Sequence, residues 1–306
     1  MTVSSNLNTF LNKRVQDFIS GSPLTDIESV VYRVSVSYDN EEIAITTLLD
    51  EFANDPKAAE VQELIIGMFV TDTSDDSSEV ISALITLKDK LKSLRAIFIG
   101  EMTYEECEIS WIQQSDISPL LNAYPELTHL QVRGGEGLRF NNLHHANLQT
   151  LIIETGGFHP ATLTDVINAG LPKLERLDLW LGDENYGFNS TVEDLQPIIS
   201  GSKFPTLKHL GLMDSEIQDG IAIAISQSPI LKQLEVLDMS MGTLTDKGAE
   251  ALLASPGIKG LSFLNLRHHF LSNEMMAKLA ALGININLDD QEKPDSDMGG
   301  YVEVSE

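Results

Sequence analysis

The chain carries a single cysteine, Cys107, in 306 residues. That excludes an internal disulfide and fits a reducing compartment. Positive charge is also scarce: 20 Lys and Arg stand against 46 Asp and Glu, a formal net charge of −26. Such a field repels nucleic-acid phosphates and steers basic proteins toward the surface, although solubility alone would also account for it. No apolar run reaches about 18 residues, the length a membrane helix needs. Residues 1–10 show neither a basic nor an apolar leader region. The expectation is a cytoplasmic protein with no membrane segment.

Chemistry-bearing motifs are missing as well. There is no P-loop lysine motif, no H-E-x-x-H and no paired C-x-x-C. The glycine-rich stretch 133–137 follows a strand pattern and opens no helix, so it makes a poor phosphate cradle. His144 and His145, like His268 and His269, are neighbours that splay apart at a turn, with too few acids nearby to complete a metal site. Glu105, Glu106 and Glu108 surround Cys107 and would raise its pKa, the opposite of what a nucleophile requires. No cofactor and no metal are expected.

What the chain does have is repetition. An apolar pattern of the form L-x-x-L-x-x-L-x-L occurs eight times, with its third position at Leu64, Ile97, Leu130, Leu151, Leu177, Leu210, Leu237 and Leu264. These marker positions lie 21 to 33 residues apart, about 29 on average, a period expected of leucine-rich repeats. In each copy the last two apolar positions sit at i and i+2, which puts both on one face of a short strand. Such strands cannot bury that face alone; stacked in parallel, they align the leucines as one apolar column. Most return segments have room for a helix and show helical spacing, as in Val80, Ile81, Leu84 and Ile85, or Leu195, Ile198 and Ile199. Thr245 is placed to cap the helix that follows it. The return between Leu130 and Leu151 is too short for a helix, so Leu138, Phe140 and Leu143 should cross as extended chain.

The pattern from Leu237 through Met239 to the run Leu244–Leu253 resembles the ribonuclease-inhibitor-like class of leucine-rich repeat proteins over roughly residues 58–288. Residues 106–119, including Trp111, look like a group of stand-alone bacterial leucine-rich repeat proteins. The resemblance implies an α/β, right-handed solenoid shaped as a horseshoe, with a parallel concave sheet of about ten strands and helices outside. It also implies a protein that binds other proteins along its concave face. The chain departs from the class pattern five residues after each marker. The usual asparagine is absent there, and Gly135, Gly156, Gly182 and Gly242 stand in that position in four copies. The dense cysteines of the vertebrate inhibitor are absent too, so ribonuclease inhibition does not carry over.

The ends divide the chain. Residues 1–57 form an N-terminal cap, in which Val31, Val34 and Val36 match a degenerate first copy with Val34 as its marker. Leu7, Phe10, Leu11, Phe18 and Ile19 supply an apolar stripe for a covering helix or arm. Residues 58–288 are the solenoid, closed by Ile284, Ile286 and Leu288. Residues 289–306 are acidic, without periodicity, and expected to be loose and disordered.

Residues flanking each marker should face the concave side. They include Ile65, Phe98, Ile152, Arg176, Asp178, Trp180, Met213, Asp238, Phe263 and Arg267. Apolar and aromatic residues interleaved with arginine have the composition of an interface centre, with Trp180 as the best anchor. The alternative is that they pack on one another or under a rim loop. Arg133 and Glu154 should pair across strands, and the acidic stretches 101–108 and 182–194 should form one rim. The leading expectation is a non-catalytic module binding a protein with basic patches, with no nucleic acid and no membrane. The competing one is a hydrolase or transferase subunit using concave carboxylates such as Asp178 and Asp238.

Overall fold

The computed structural model describes residues 3–37, 43–70, 72, 74–294 and 300–306. Among the described residues, twelve strands form one sheet in strict sequence order. They are β1 (Thr9–Phe10), β2 (Lys13–Asp17), β3 (Val30–Val34), β4 (Glu63–Ile66), β5 (Ala96–Ile99) and β6 (His129–Arg133). There follow β7 (Thr150–Glu154), β8 (Arg176–Gly182), β9 (His209–Ser215), β10 (Val236–Asp238), β11 (Phe263–Asn265) and β12 (Ile286–Asn287). Every pairing is parallel except β1 with β2.

The marker positions meet rung by rung: Leu64 pairs with Ile97, then Leu130, Leu151, Leu177, Leu210, Leu237 and Leu264. All eight are fully buried. This arrangement fits a leucine-rich-repeat fold. One residue per rung, repeated along the chain, is what forces parallel stacking: any slip by one would turn the leucine column out of the core.

Helices fill the return segments: α1 (Ile45–Asn54), α2 (Ser78–Thr86), α3 (Ser118–Ala123), α4 (Pro160–Asn168), α5 (Val192–Ile199), α6 (Gln218–Ser226), α7 (Asp246–Ala254) and α8 (Asn273–Ala280). Their buried residues, such as Leu84, Leu121, Val166, Ile198, Ile225 and Leu252, join the marker column in one continuous core, so the helices cover one face of the sheet. Thr245 caps α7 by accepting the Lys247 N–H, and Thr191 and Asp194 form a capping box on α5. Between β6 and β7 the chain has no helix; Leu138, Phe140 and Leu143 cross as buried extended chain.

The first rung differs from the sequence expectation by two residues. Tyr32, rather than Val34, pairs with Leu64, and Val34 pairs with Ile66. A shift of two keeps the same side chains inward, so the valine spacing could not separate the two registers. Tyr32 fits the marker position because its ring packs against Phe52 and its hydroxyl donates to the Thr25 carbonyl at 2.9 Å.

Both ends also depart from expectation. Residues 9–17 form a β-hairpin whose two turn residues, Leu11 and Asn12, are both left-handed, as a two-residue type I′ turn requires. Of the apolar stripe foreseen there, Phe10 and Phe18 are buried, while Leu11 and Ile19 face solvent. At the other end, residues 300–306 pack against the molecule with Val302 and Val304 buried, although their composition suggested a loose tail. The part of that tail at residues 295–299 lies outside the described residues.

Candidate functional site

The face of the sheet opposite the helices carries the residues that alternate with the marker column. In register these are Ile65, Phe98, Gln131, Ile152, Asp178, Gly211, Asp238 and Asn265. The chain's own ends cover part of this face.

The N-terminal arm covers the first rungs. Phe10 stacks on Phe98 with ring centroids 6.1 Å apart and meets the His129 ring edge-on at 5.3 Å. Phe10, Val31, Ile65, Ala96 and Phe98 form a second, smaller core. Glu101 anchors the arm from beneath. Fully buried, it accepts the Leu7 N–H at 2.7 Å and pairs with Arg33 at 2.8 Å. The stretch 101–108 is thus not wholly a solvated acidic rim: Glu101 and Glu106 both bind Asn6. Ile65 and Phe98, expected as exposed contacts, are completely buried.

Next to the arm lies a buried polar cluster. Arg133 Nε donates to Glu154 Oε2 at 2.7 Å, Gln131 donates to Glu154 Oε1 at 2.6 Å, and Arg133 also donates to the Met102 carbonyl at 2.6 Å. The guanidinium sits 5.2 Å over the Phe98 ring. The expected cross-strand pair is there, but it is buried rather than exposed, with side chains 5% and 7% accessible. His129 is buried beside it. Burial, with a smaller push from Arg176, lowers its pKa to about 4 despite the Gln131 side chain and Asp178.

The middle of the face is charged and partly open. Arg176 holds Asp178 Oδ2 at 2.6 Å, while His209 Nε2 lies 3.0 Å from Asp178 Oδ1. Burial opposes ionisation of Asp178, but His209 and Arg176 outweigh it and keep the carboxyl below the usual range. Gly211 makes the space: a Cβ there would stand 2.6 Å from Asp178 Oδ1. One rung on, Asp238 accepts from Ser240 at 2.6 Å and from Asn265 at 2.9 Å. Arg176 is exposed, and His209, Asp238, Phe263 and Asn265 are half-buried.

The C-terminal segment covers the rest. Trp180 and Met213, both half-buried, pack in a cluster with Ile109, Met241, Val304 and Val3. Arg267 pairs with Glu303 and with Asp290. Of the ten residues singled out in the sequence, Arg176, Asp238 and Phe263 therefore share the uncovered strip, and Asp178, itself buried, is held beside them by Arg176 and His209. Ile152 is buried at its edge, and Trp180, Met213 and Arg267 lie under or beside residues 300–306.

Sequence reasoning missed Asp214, Met241 and His268, which contact that segment. Their signal was a repeat position four residues after the marker, one before the position where the asparagine was sought. Among the described residues no group of three or more His, Cys, Asp or Glu is arranged to hold a metal ion, and no helix is long and apolar enough to cross a membrane.

No protein-family model matches the chain, and no curated protein matches it. Among solved structures, an internalin from Listeria monocytogenes aligns over 87% of this chain and 73% of its own, with 14% identity and a TM-score of 0.39. A protein from Bacteroides fragilis, solved by a structural genomics consortium, aligns over 90% of this chain and 77% of its own. The identity is 34% and the TM-score 0.83. At that identity and coverage, the chain belongs to the same family as the Bacteroides fragilis protein.

Proposed function

We propose that the protein is a non-catalytic interaction module of the ribonuclease-inhibitor-like repeat class, right-handed and curved, which binds a partner protein on its concave strand face. The observation that carries this reading is the strip from Arg176 to Asn265. Its charged and polar side chains are already held by contacts within and between strands, and Arg176 is exposed and His209, Asp238 and Asn265 half-buried between the two covered ends. Contacts fixed in advance lower the ordering cost of binding. The net charge of −26 favours a partner with basic patches and a fast, salt-sensitive association. A cytoplasmic location suits the lone cysteine.

The competing reading, a hydrolase or transferase subunit, needs a carboxyl free to exchange a proton. Asp178 is held ionised by Arg176 and His209, and Asp238 is committed to Ser240 and Asn265. Both arrangements suit recognition better than acid–base work.

Pull-down from lysate separates the two. A partner captured at low salt, lost at high salt and weakened by Arg176→Ala supports the module. No partner at either salt, with a turnover abolished by Asp178→Asn, supports the enzyme.

A further inference from the structure

Three successive turns carry a side chain where glycine would be easier. Near the end of β9 and just after β10 and β11 the chain passes through the left-handed region at Asp214 (φ 54°), Met241 (φ 71°) and His268 (φ 57°). Each lies four residues beyond its marker, Leu210, Leu237 or Leu264. That conformation is disfavoured for any residue with a Cβ and is tolerated best by Asn, Asp and His, so its recurrence at equivalent positions asks for a reason.

All three residues touch the same short segment. Asp214 Oδ1 accepts the Val304 N–H at 2.9 Å. The Met241 carbonyl accepts the Glu303 N–H at 2.8 Å, and its side chain shares an apolar cluster with Val304. The His268 ring meets Tyr301 with centroids 5.7 Å apart. Alongside, Arg267 binds the Glu303 carboxylate. Gly156 is bare where the Ser305 carbonyl lies, and a Cβ there would fall on that oxygen. The three turns form a staircase, one step per rung, and residues 300–306 lie along it.

This occupant satisfies the seat incompletely. Asp214 Oδ2 and both ring nitrogens of His268 are buried without a hydrogen-bond partner, a condition native proteins rarely keep without cause. Residues 300–306 join no strand of the sheet; among the described residues one backbone–backbone hydrogen bond reaches them, and side chains make further contacts, including Tyr186 to Glu306 and Tyr301 to Glu292.

We propose that the staircase is a docking groove for an extended partner segment in which two small apolar side chains flank a carboxylate, and that residues 300–306 fill it in cis until such a segment displaces them. The two apolar side chains take the places of Val302 and Val304, and the carboxylate takes Arg267 from Glu303. A hydrogen-bonding group of the segment then reaches Asp214 Oδ2. This inference rests on the strand face being a partner surface, and it names the chemistry of the segment that seats there.

The test uses the full chain with Val302→Ser and Val304→Ser, and a fluorescent peptide with the sequence of residues 300–306. Hydrogen exchange should show residues 300–306 losing protection while β4–β11 keep theirs. The peptide should bind the double variant at least ten-fold tighter than it binds the unaltered chain. A peptide carrying Glu303→Lys, or a chain also carrying Arg267→Ala, should lose at least ten-fold of that affinity. Should the double variant unfold, Gly156→Val is a second route, its Cβ displacing Ser305, and it is read with a peptide of residues 300–304, which ends short of that contact.

Equal binding to both chains, no binding to a chain whose segment is released, or a segment that stays protected in the double variant and in Gly156→Val would each overturn the inference. So would exchange of the segment between two copies, seen as a concentration-dependent dimer that the peptide dissolves. Loss of this inference alone would leave the Arg176-dependent capture intact; loss of that capture would instead remove the reading beneath it.

Discussion

Arg133 and Glu154 face each other across β6 and β7 with Nε 2.7 Å from Oε2, and both are buried beside the Phe10 arm, the guanidinium over the Phe98 ring. A buried ion pair adds little over a well-packed apolar pair, but breaking one is costly because the remaining charge has no water. Glu154→Leu should lower stability by about 3 kcal/mol, and Arg133→Met by a similar amount. The double change to Met and Leu should recover much of the loss. Chemical denaturation of the four proteins measures this, and strictly additive losses would contradict it.

Asp178 owes its position to an absent side chain. Gly211→Ala brings a Cβ within 2.6 Å of Asp178 Oδ1, and neither that oxygen nor the backbone can retreat easily. The expected result is a loss of about 1–3 kcal/mol with a disturbed Asp178–His209 contact. The His209 imidazole resonances should shift by NMR. Unchanged resonances and stability would show that the strip tolerates more volume than its geometry implies.

His129 gives the fold an acid-sensitive element. Its pKa falls to about 4 in the folded state against an ordinary 6.5, so between those values the unfolded chain binds the extra proton. Stability from this group is complete above about pH 6.5 and is lost as pH falls toward 4. The loss is at most about 3 kcal/mol by proton linkage. His129→Gln should flatten the stability profile in that window, read from urea midpoints at several pH values.

Cys107 should react slowly. Burial first, and Glu108 second, raise its thiol pKa to about 11. At pH 8 its thiolate fraction is then about two orders of magnitude below that of a free cysteine. Ellman's reagent should modify the folded chain correspondingly slowly and the urea-unfolded chain at the ordinary rate. Fast modification of the folded chain would mean that the 101–108 stretch opens readily.

The column from Leu64 to Leu264 was legible because every rung restates it, so eight independent copies vote for one register. The first rung was not, because Tyr32 and Val34 have the same parity as Val34 and Val36. The covered ends were hidden for a different reason. Phe10 and Phe98 meet across nearly ninety residues of chain, and no periodicity links an arm to the rung it crosses. Glu101 read as a solvated acid, yet its partners Arg33 and Leu7 come from distant sequence. In residues 300–306 the alternation of Val302 and Val304 was present, but the surrounding acids outweighed it. Trp180 was correctly placed on the strand face. Its packing with Val304 and Val3 means that Trp180→Ala should cost stability as well as any binding.

The proposal that the uncovered strip receives the partner is tested most directly by site-specific photo-crosslinking in lysate. A photoreactive side chain replaces Asp238 on the strip or, as a control, Glu250 on α7. The expected result is a discrete protein adduct from position 238 that Arg176→Ala abolishes, and no such adduct from position 250. Equal adducts from both positions, or an adduct at 238 indifferent to Arg176→Ala, would contradict it.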